Sequence, residues 1–402
     1  MIMTTLLTQL SHLGTAVCDE KHPRAPVALP AIRTSTVRFN DIDTLHDTYR
    51  RQAAGERIVG YGRMGMETHA AFEEMMCALE GGKRAFLAPS GLNAIAMVLL
   101  SLLNAGDHML VADCVYGPVR QMDETVLKRM NISSTFCSMR DMAELESKIQ
   151  SNTKILYLES PGSLLFEMLD LPAIAAVAKK HNLLVIADNT WGSGLAYRPL
   201  DLGADVSIVA VTKYIGGHSD LLMGAVVAKD DAIIKRIDTN QYALGFSTSA
   251  DDVWLAIRGV RTLDVRMKRH AENALKICEF FDQQAETLQI YHPAFEKDAH
   301  HDLWKRDALG SNGMVSVALN LTKAQTKVFV ESLKLFSIGY SWGGYESLID
   351  MVNTDFLKNH AYWNPNYPHL VRMHIGLESP EDLIQDYQQA LEKARNYPPS
   401  IP

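Results

Sequence analysis

The sequence predicts an α/β protein: a mostly parallel sheet covered by helices, followed by a smaller C-terminal α/β unit. Three observations carry this. Short, fully apolar, β-branched-rich runs recur between about residues 66 and 260, with helical stretches between them. Strands of that kind are buried on both faces, as in a parallel sheet. From about residue 261 a long helical pattern opens a second, shorter alternation. The chain has 402 residues, 47% of them apolar, which is ample for one large or two moderate cores.

The elements follow in order. Residues 1–65 are irregular and rich in Thr, Arg and Pro, and are expected to reach across a neighbour as an extended arm. Thr68–Leu79 reads as a helix closed by Gly81-Gly82. Ala85–Ala88 is a short apolar strand, and Leu92–Asn104 a nearly all-apolar, hence buried, helix. Met109–Ala112, Ile155–Leu158, Leu183–Ala187 and Val206–Val211 read as core strands, with Ala225–Ala228 as one more. Leu263–Phe281 is a long helix, and Met314–Leu319 and Leu370–Ile375 are strands of the second unit. The last of these alternates: Val371, Met373 and Ile375 face a core, while Arg372 and His374 face water or a site. The expected division is an arm (1–65), a large domain (66–260) and a small domain (261–402), with no internal repeat.

Composition narrows the function. A net charge of −8 gives no electrostatic footing on nucleic acid or an anionic membrane. Five cysteines without a C-x-x-C pair do not read as a disulfide framework or a zinc site, and fit a reducing cytoplasm. The opening segment lacks the basic region of a secretory signal, and the longest apolar stretch, Leu92–Leu103, is too short to span a bilayer. No H-E-x-x-H or EF-hand loop is present. His300-His301, flanked by Asp298 and Asp302, reads as a solvated loop, so no metal ligands are named.

In open α/β sheets chemistry gathers at the C-terminal ends of strands. Ser90 follows the first strand and is placed to cap a helix. The free N–H groups of Gly91 and Leu92 would then suit a phosphate, or simply end an ordinary capped turn. Asp188 closes another strand, as a charge partner or as a turn residue. Lys213 follows a run of sheet-core character and precedes a Gly-rich turn. A buried lysine there would have a lowered pKa and a nucleophilic amine, and Thr212 could add a hydroxyl to a phosphate seat. Tyr116 could stack on a planar group or cover the core. Arg372 suits bidentate carboxylate recognition or a surface ion pair. The order and strand-end placement of these residues together describe a pyridoxal 5′-phosphate (PLP) site.

The run Asp205–Ser219, centred on Thr212-Lys213-Tyr214, resembles the lysine segment of the Cys/Met-metabolism PLP enzymes, the γ-family of fold-type I. The resemblance extends over nearly the whole chain. It includes Tyr61-Gly62-Arg63, Glu80-Gly81-Gly82, Leu158-Glu159-Ser160-Pro161-Gly162, Asp188-Asn189-Thr190-Trp191, Arg258-Gly259-Val260-Arg261-Thr262-Leu263 and the run Tyr340–Leu348. It implies that Lys213 is the Schiff-base lysine and proton carrier, that Asp188 pairs with the pyridine nitrogen, and that Tyr116 stacks on the ring. Ser90, Gly91, Leu92 and Thr212 would hold the phosphate. Tyr61 and Arg63 would enter from an adjacent subunit, Arg63 on the phosphate, making a catalytic dimer and a homotetramer built as a dimer of dimers. Arg372 would bind the substrate α-carboxylate, with Tyr340, Ser341 and Trp342 nearby. Ala210 departs from the serine common among relatives, and Val211 is bulkier than the usual small residue.

Within the family, Tyr340-Ser341-Trp342-Gly343-Gly344-Tyr345 resembles the bacterial cystathionine β-lyase form, as does Pro161-Gly162-Ser163, and Pro118 stands where methionine γ-lyases tend to carry a reactive cysteine. That implies cleavage of the Cβ–S bond of L-cystathionine in methionine biosynthesis, with Lys213, Tyr116 and Tyr61 taking part. The alternatives are a γ-acting relative or a broader cysteine S-conjugate β-lyase.

Overall fold

The computed structural model describes residues 4–20 and 22–398. The reading of the opening segment rests partly on Met1–Met3, which lie outside the described residues. Seven strands form the larger sheet: β1 (Arg84–Ala88), β2 (His108–Ala112), β3 (Ser133–Cys137), β4 (Thr153–Glu159), β5 (Leu184–Asp188), β6 (Val206–Ala210) and β7 (Gly224–Ala228). Their order is β1-β7-β6-β5-β4-β2-β3, and only β7 runs against its neighbours. The five-stranded second sheet comprises β8 (Thr287–Tyr291), β9 (Met314–Leu319), β10 (Ser337–Ile338), β11 (Leu348–Val352) and β12 (His369–His374), in the order β10-β11-β12-β9-β8. Apart from β10–β11, its pairings are antiparallel.

Local chemistry sets the boundaries near the site. The helix Glu67–Glu80 ends where Gly81 adopts φ +75°, a left-handed cap that glycine takes without strain. Ser90 caps the helix Gly91–Leu102 by accepting the Asn93 N–H at 3.1 Å. That helix buries most of its residues between β1, β6 and β7, as its apolar composition requires. It stops two residues short of the expected Asn104, whose N–H is claimed by the Asp107 carboxylate in a turn.

The second sheet has its own apolar cluster, centred on Tyr387, Phe281 and Phe329. Phe281 meets Tyr387 edge-on with ring centroids 5.0 Å apart. Each such buried ring contributes on the order of 2–3 kcal/mol. Met314, Ala318 and Leu370 on the second sheet join the cluster of the first, so the two cores touch.

Three expectations are corrected. The first 65 residues are not uniformly irregular. Leu6–His12 and Ile42–Ala53 are helices, the first tied down by Arg261, whose Nη1 donates to the carbonyls of Leu10 and Ser11 at 2.6 Å each. The second carries an apolar stripe, Ile42, Leu45, Tyr49 and Ala53, at helical spacing, but within this chain it buries only Thr48 and leaves Ile42 and Tyr49 exposed. His374 does not face water. It is 1% exposed and packs against Tyr214 and His270, with ring centroids 5.7 and 5.0 Å away. His300 and Asp298 do not form a solvated loop either. Both are buried, and the Asp298 carboxylate accepts the N–H groups of His292 and His300.

Candidate active site

β4, β5 and β6 end side by side, and their last residues surround a pocket of about 200 Å³ together with the Ser90 helix start and the loop that carries Trp342. Lys213 stands two residues beyond Val211 in the turn after β6. Its Nζ donates to Ser341 Oγ at 2.6 Å and lies 5.3 Å from the Trp342 ring centroid. Burial pushes the Lys213 amine down to about 8, and the nearby Arg372 charge adds to the effect, while Asp188 opposes it. The amine is therefore basic enough to hold a proton and weak enough to lose one.

Asp188 is the last residue of β5 and is buried. Its Oδ1 accepts from Thr190 N at 3.0 Å and Thr190 Oγ1 at 2.6 Å. Thr190 Oγ1 in turn accepts from Ala210 N at 2.8 Å, which joins the ends of β5 and β6. Burial raises the Asp188 carboxyl, with the Thr190 bonds opposing. A cationic partner would restore its charge.

Gly91 opens the helix beside the end of β6. A Cβ there would sit 2.7 Å from the Ala210 Cβ, so only glycine permits this approach. The first N–H groups of that helix lack intrahelical partners and line the pocket at Gly91 and Leu92. Thr212 also lines it, but its hydroxyl is already engaged, donating to Met223 O at 3.2 Å and accepting from Met223 N at 3.0 Å. Tyr116 contributes a half-exposed ring to the rim.

Arg372 sits mid-strand on β12. Its Nη2 reaches the carbonyls of Gly339 and Ser341 only at 3.4 and 3.5 Å, and its buried Nε has no partner. Such a guanidinium has donor capacity left over. Ser341 itself adopts φ +73°, and Gly343 packs against the Lys213 backbone, where a Cβ would fall 2.8 Å from Lys213 C. The Tyr340–Tyr345 loop is thus pressed directly onto the lysine turn.

Several named residues lie elsewhere. Of Tyr340, Ser341, Trp342 and Arg372, only Trp342 is part of the pocket lining in this chain; Tyr340 is 88% exposed, and Ser341 meets the site through its bond with Lys213. Tyr61 and Arg63 border a different concavity with Arg33 and Thr34. Arg63 donates to Tyr242 O at 3.1 Å and lies 4.7 Å from that ring centroid. Within one chain they do not meet Lys213. Conversely, Glu159, Ser163 and Thr190 line the pocket without having been singled out. Glu159 closes β4 as Asp188 closes β5, so the strand-end argument could have found it. Away from the pocket, Asp113, Cys114 and Glu167 bring buried ligand-type atoms within 4.8 Å of one another, a group the sequence analysis does not raise.

An amine of lowered basicity, a buried carboxylate and a glycine-opened helix start together fit PLP. The class defined here is a lysine-dependent PLP enzyme. Comparison with known proteins agrees. The family model described as Cys/Met metabolism PLP-dependent enzyme matches residues 11–392. The chain is 55% identical over 387 residues to cystathionine beta-lyase of Bordetella avium, covering 96% of this chain and 97% of that one. It is 35% identical over 388 residues to cystathionine beta-lyase MetC of Escherichia coli, with 94% and 96% covered. The crystal structure of cystathionine gamma synthase from Xanthomonas oryzae in complex with cystathionine superposes with a TM-score of 0.89 at 30% identity, covering 98% of this chain and all of that one. This chain belongs to the Cys/Met metabolism PLP-dependent enzyme family, with the fold-type I architecture.

Proposed function

We propose that this enzyme cleaves the Cβ–S bond of L-cystathionine, yielding homocysteine, pyruvate and ammonia with the uptake of one water. The observation that carries the reading is the Ser341–Trp342 segment held against Lys213, an aromatic wall beside the amine. The likeness to relatives named cystathionine beta-lyase supports it.

When bound, PLP supplies an electron sink for the pair left at Cα. The residues do the rest. Arg372, whose Nε is unpartnered and whose Nη2 contacts are long, takes the substrate α-carboxylate. Asp188 offers the buried negative charge that keeps a pyridine nitrogen protonated. Ser90, Gly91, Leu92 and Thr212 seat the phosphate, Thr212 after exchanging its Met223 contact. Lys213 Nζ removes the Cα proton and delivers a proton to the departing sulfur, and Ser341 Oγ orients the amine between these tasks. Tyr116 covers the ring and, with Tyr61, shapes the proton path.

Tyr61 and Arg63 fulfil their roles from an adjacent subunit, since their own chain does not bring them to Lys213. In this reading the enzyme is a catalytic dimer, assembled as a homotetramer, with an arm (1–65), a large domain (66–260) and a small domain (261–402). Among the described residues no helix is long and apolar enough to cross a membrane, and the five cysteines are free. Both fit a cytoplasmic enzyme of methionine biosynthesis.

Product analysis tests the function. With L-cystathionine the enzyme yields pyruvate and homocysteine in equal amounts. 2-Oxobutyrate with cysteine would instead mark a γ-lyase. A second check concerns the lysine. PLP capture by the apoprotein rises with pH, is half-maximal near about 8, where half of the amine is free, and levels off above that. An ordinary lysine would reach half-maximal rate only near its usual pKa of about 10.4.

A further inference from the structure

The pocket contains a second acid that the proposed mechanism does not use. Glu159 ends β4, and strand register places it directly across from Asp188 on β5. Its Oε2 accepts the backbone N–H of Tyr116 at 2.6 Å, a short bond for an amide donor. The same loop is fixed a second way, since Cys114 Sγ reaches the Glu159 carbonyl at 3.5 Å. The Tyr116 residue leads into the helix Gly117–Met122, so this bond sets where the ring enters the pocket rim.

The charges facing Glu159 are known. Asp188 and Glu167 are both acidic, and the Tyr116 and Tyr157 phenols are neutral at physiological pH. The pocket's amine, Lys213, interacts with Asp188. Among the described residues no basic side chain forms an ion pair with Glu159, and a lone carboxylate in this setting is costly. Burial and the Asp188 charge push the Glu159 carboxyl well above the usual carboxylate range, outweighing the Tyr116 amide bond, which acts the other way.

We propose that Glu159 is a positioning residue acting as a neutral carboxylic acid: it holds the Tyr116 loop over the pocket and leaves Asp188 the sole anion available to the cofactor ring. The assignment rests on the roles given above to Tyr116 and Asp188. One strand end thus supplies charge and its neighbour supplies geometry, and their difference in protonation keeps two adjacent acids from repelling each other.

Three variants and two direct readouts test it. Glu159→Gln is isosteric and neutral and keeps an acceptor for the Tyr116 amide, whereas Glu159→Ala removes it. Amide hydrogen exchange at Tyr116, measured in both apoprotein and holoenzyme, stays protected in E159Q and is lost in E159A. The infrared difference between wild type and E159Q shows the carbonyl stretch of a protonated carboxylic acid. With cystathionine, E159Q keeps kcat/KM within about threefold and E159A loses roughly tenfold, the worth of one such bond. Glu159→Asp, too short to reach, behaves as E159A. Carboxylate bands in place of the acid band, or E159Q failing as badly as E159A, overturn the proposal, as does unaltered Tyr116 exchange in E159A. The apoprotein readouts need neither PLP nor substrate. If the wild type binds no PLP, it is the proposed function that fails, and the exchange and infrared results still decide the state of Glu159.

Discussion

Lys213→Ala abolishes cystathionine cleavage, lowering kcat by roughly 10⁴-fold or more, while the protein stays folded. General acid–base catalysis by a placed side chain alone accounts for about 10²–10⁴. Lys213 performs it twice in the proposed cycle, at Cα and at the leaving sulfur, and also provides the covalent anchor for PLP. The loss is in chemistry because Lys213 makes few structural contacts: its side chain bonds Ser341 Oγ and stands beside Trp342. Lys213→Arg separates charge from reactivity. A guanidinium retains the positive charge but offers no free amine at any working pH, so K213R is as inactive as K213A. Single-turnover measurements with cystathionine, paired with a thermal melt, check both variants. Activity within tenfold of wild type in K213R would mean that the lysine serves only as a cation.

Arg372→Leu lowers kcat/KM for cystathionine by roughly 10²–10³-fold, the expected cost of removing one member of a buried charge pair. Most of it appears in KM, because the α-carboxylate carries the same charge in ground and transition states. The physical basis is the state of the guanidinium. It is largely buried, its Nε is unpartnered, and its Nη2 contacts are at the outer limit of hydrogen bonding. Asp350, its cross-strand partner on β11, supplies some compensating charge without an ion pair of short geometry. Arg372→Lys recovers only part of the loss, since an ammonium cannot form the two parallel bonds of a fork. Steady-state kinetics with cystathionine, and with an analogue lacking the α-carboxylate, check this. The analogue loses little when Arg372 is replaced. Equal losses for both compounds would place Arg372 in the scaffold and not on the substrate.

Removing Arg372 has one further consequence. Its charge lowers the Lys213 amine, second only to burial. In R372L the plateau of PLP capture therefore moves to higher pH.

The parts of the site that were legible in the sequence share one trait. Lys213, Asp188 and Ser90 each interrupt a strongly apolar run, and a polar group at the end of a buried strand has few places to go. Glu159 ends its run in the same manner, yet its role depends on Asp188 lying opposite, which is a matter of register and not of local pattern. Arg372 was visible as the odd member of an alternating strand. His374, two residues on, gives the same signal and means something else: it is packed between Tyr214 and His270 at the junction of the two sheets, with its Nδ1 on Glu346 O. Period-two alternation reports a face, not what covers it.

The elements that escaped notice are those whose stability comes from tertiary contact. β3 reads Ser-Ser-Thr-Phe-Cys and is an edge strand paired only to β2, so it needs little apolar character. The helix Ile42–Ala53 has its Asp41 cap and i,i+3 and i,i+4 ion pairs of Asp47 with Arg50 and Arg51, while its short apolar stripe, Ile42, Leu45, Tyr49 and Ala53, is left largely exposed within this chain. Tyr340 was grouped with its neighbours by adjacency in the sequence. The positive φ of Ser341 turns the chain there, leaving Tyr340 outside the pocket and Trp342 within it.

The central claim is that Lys213 carries the cofactor. Borohydride reduction of the purified enzyme, followed by peptide mapping by mass spectrometry, tests it most directly. The account predicts a single reduced pyridoxyl-phosphate adduct on the peptide containing Thr212-Lys213-Tyr214. An adduct on another lysine, or none on an enzyme that still cleaves cystathionine, would contradict it.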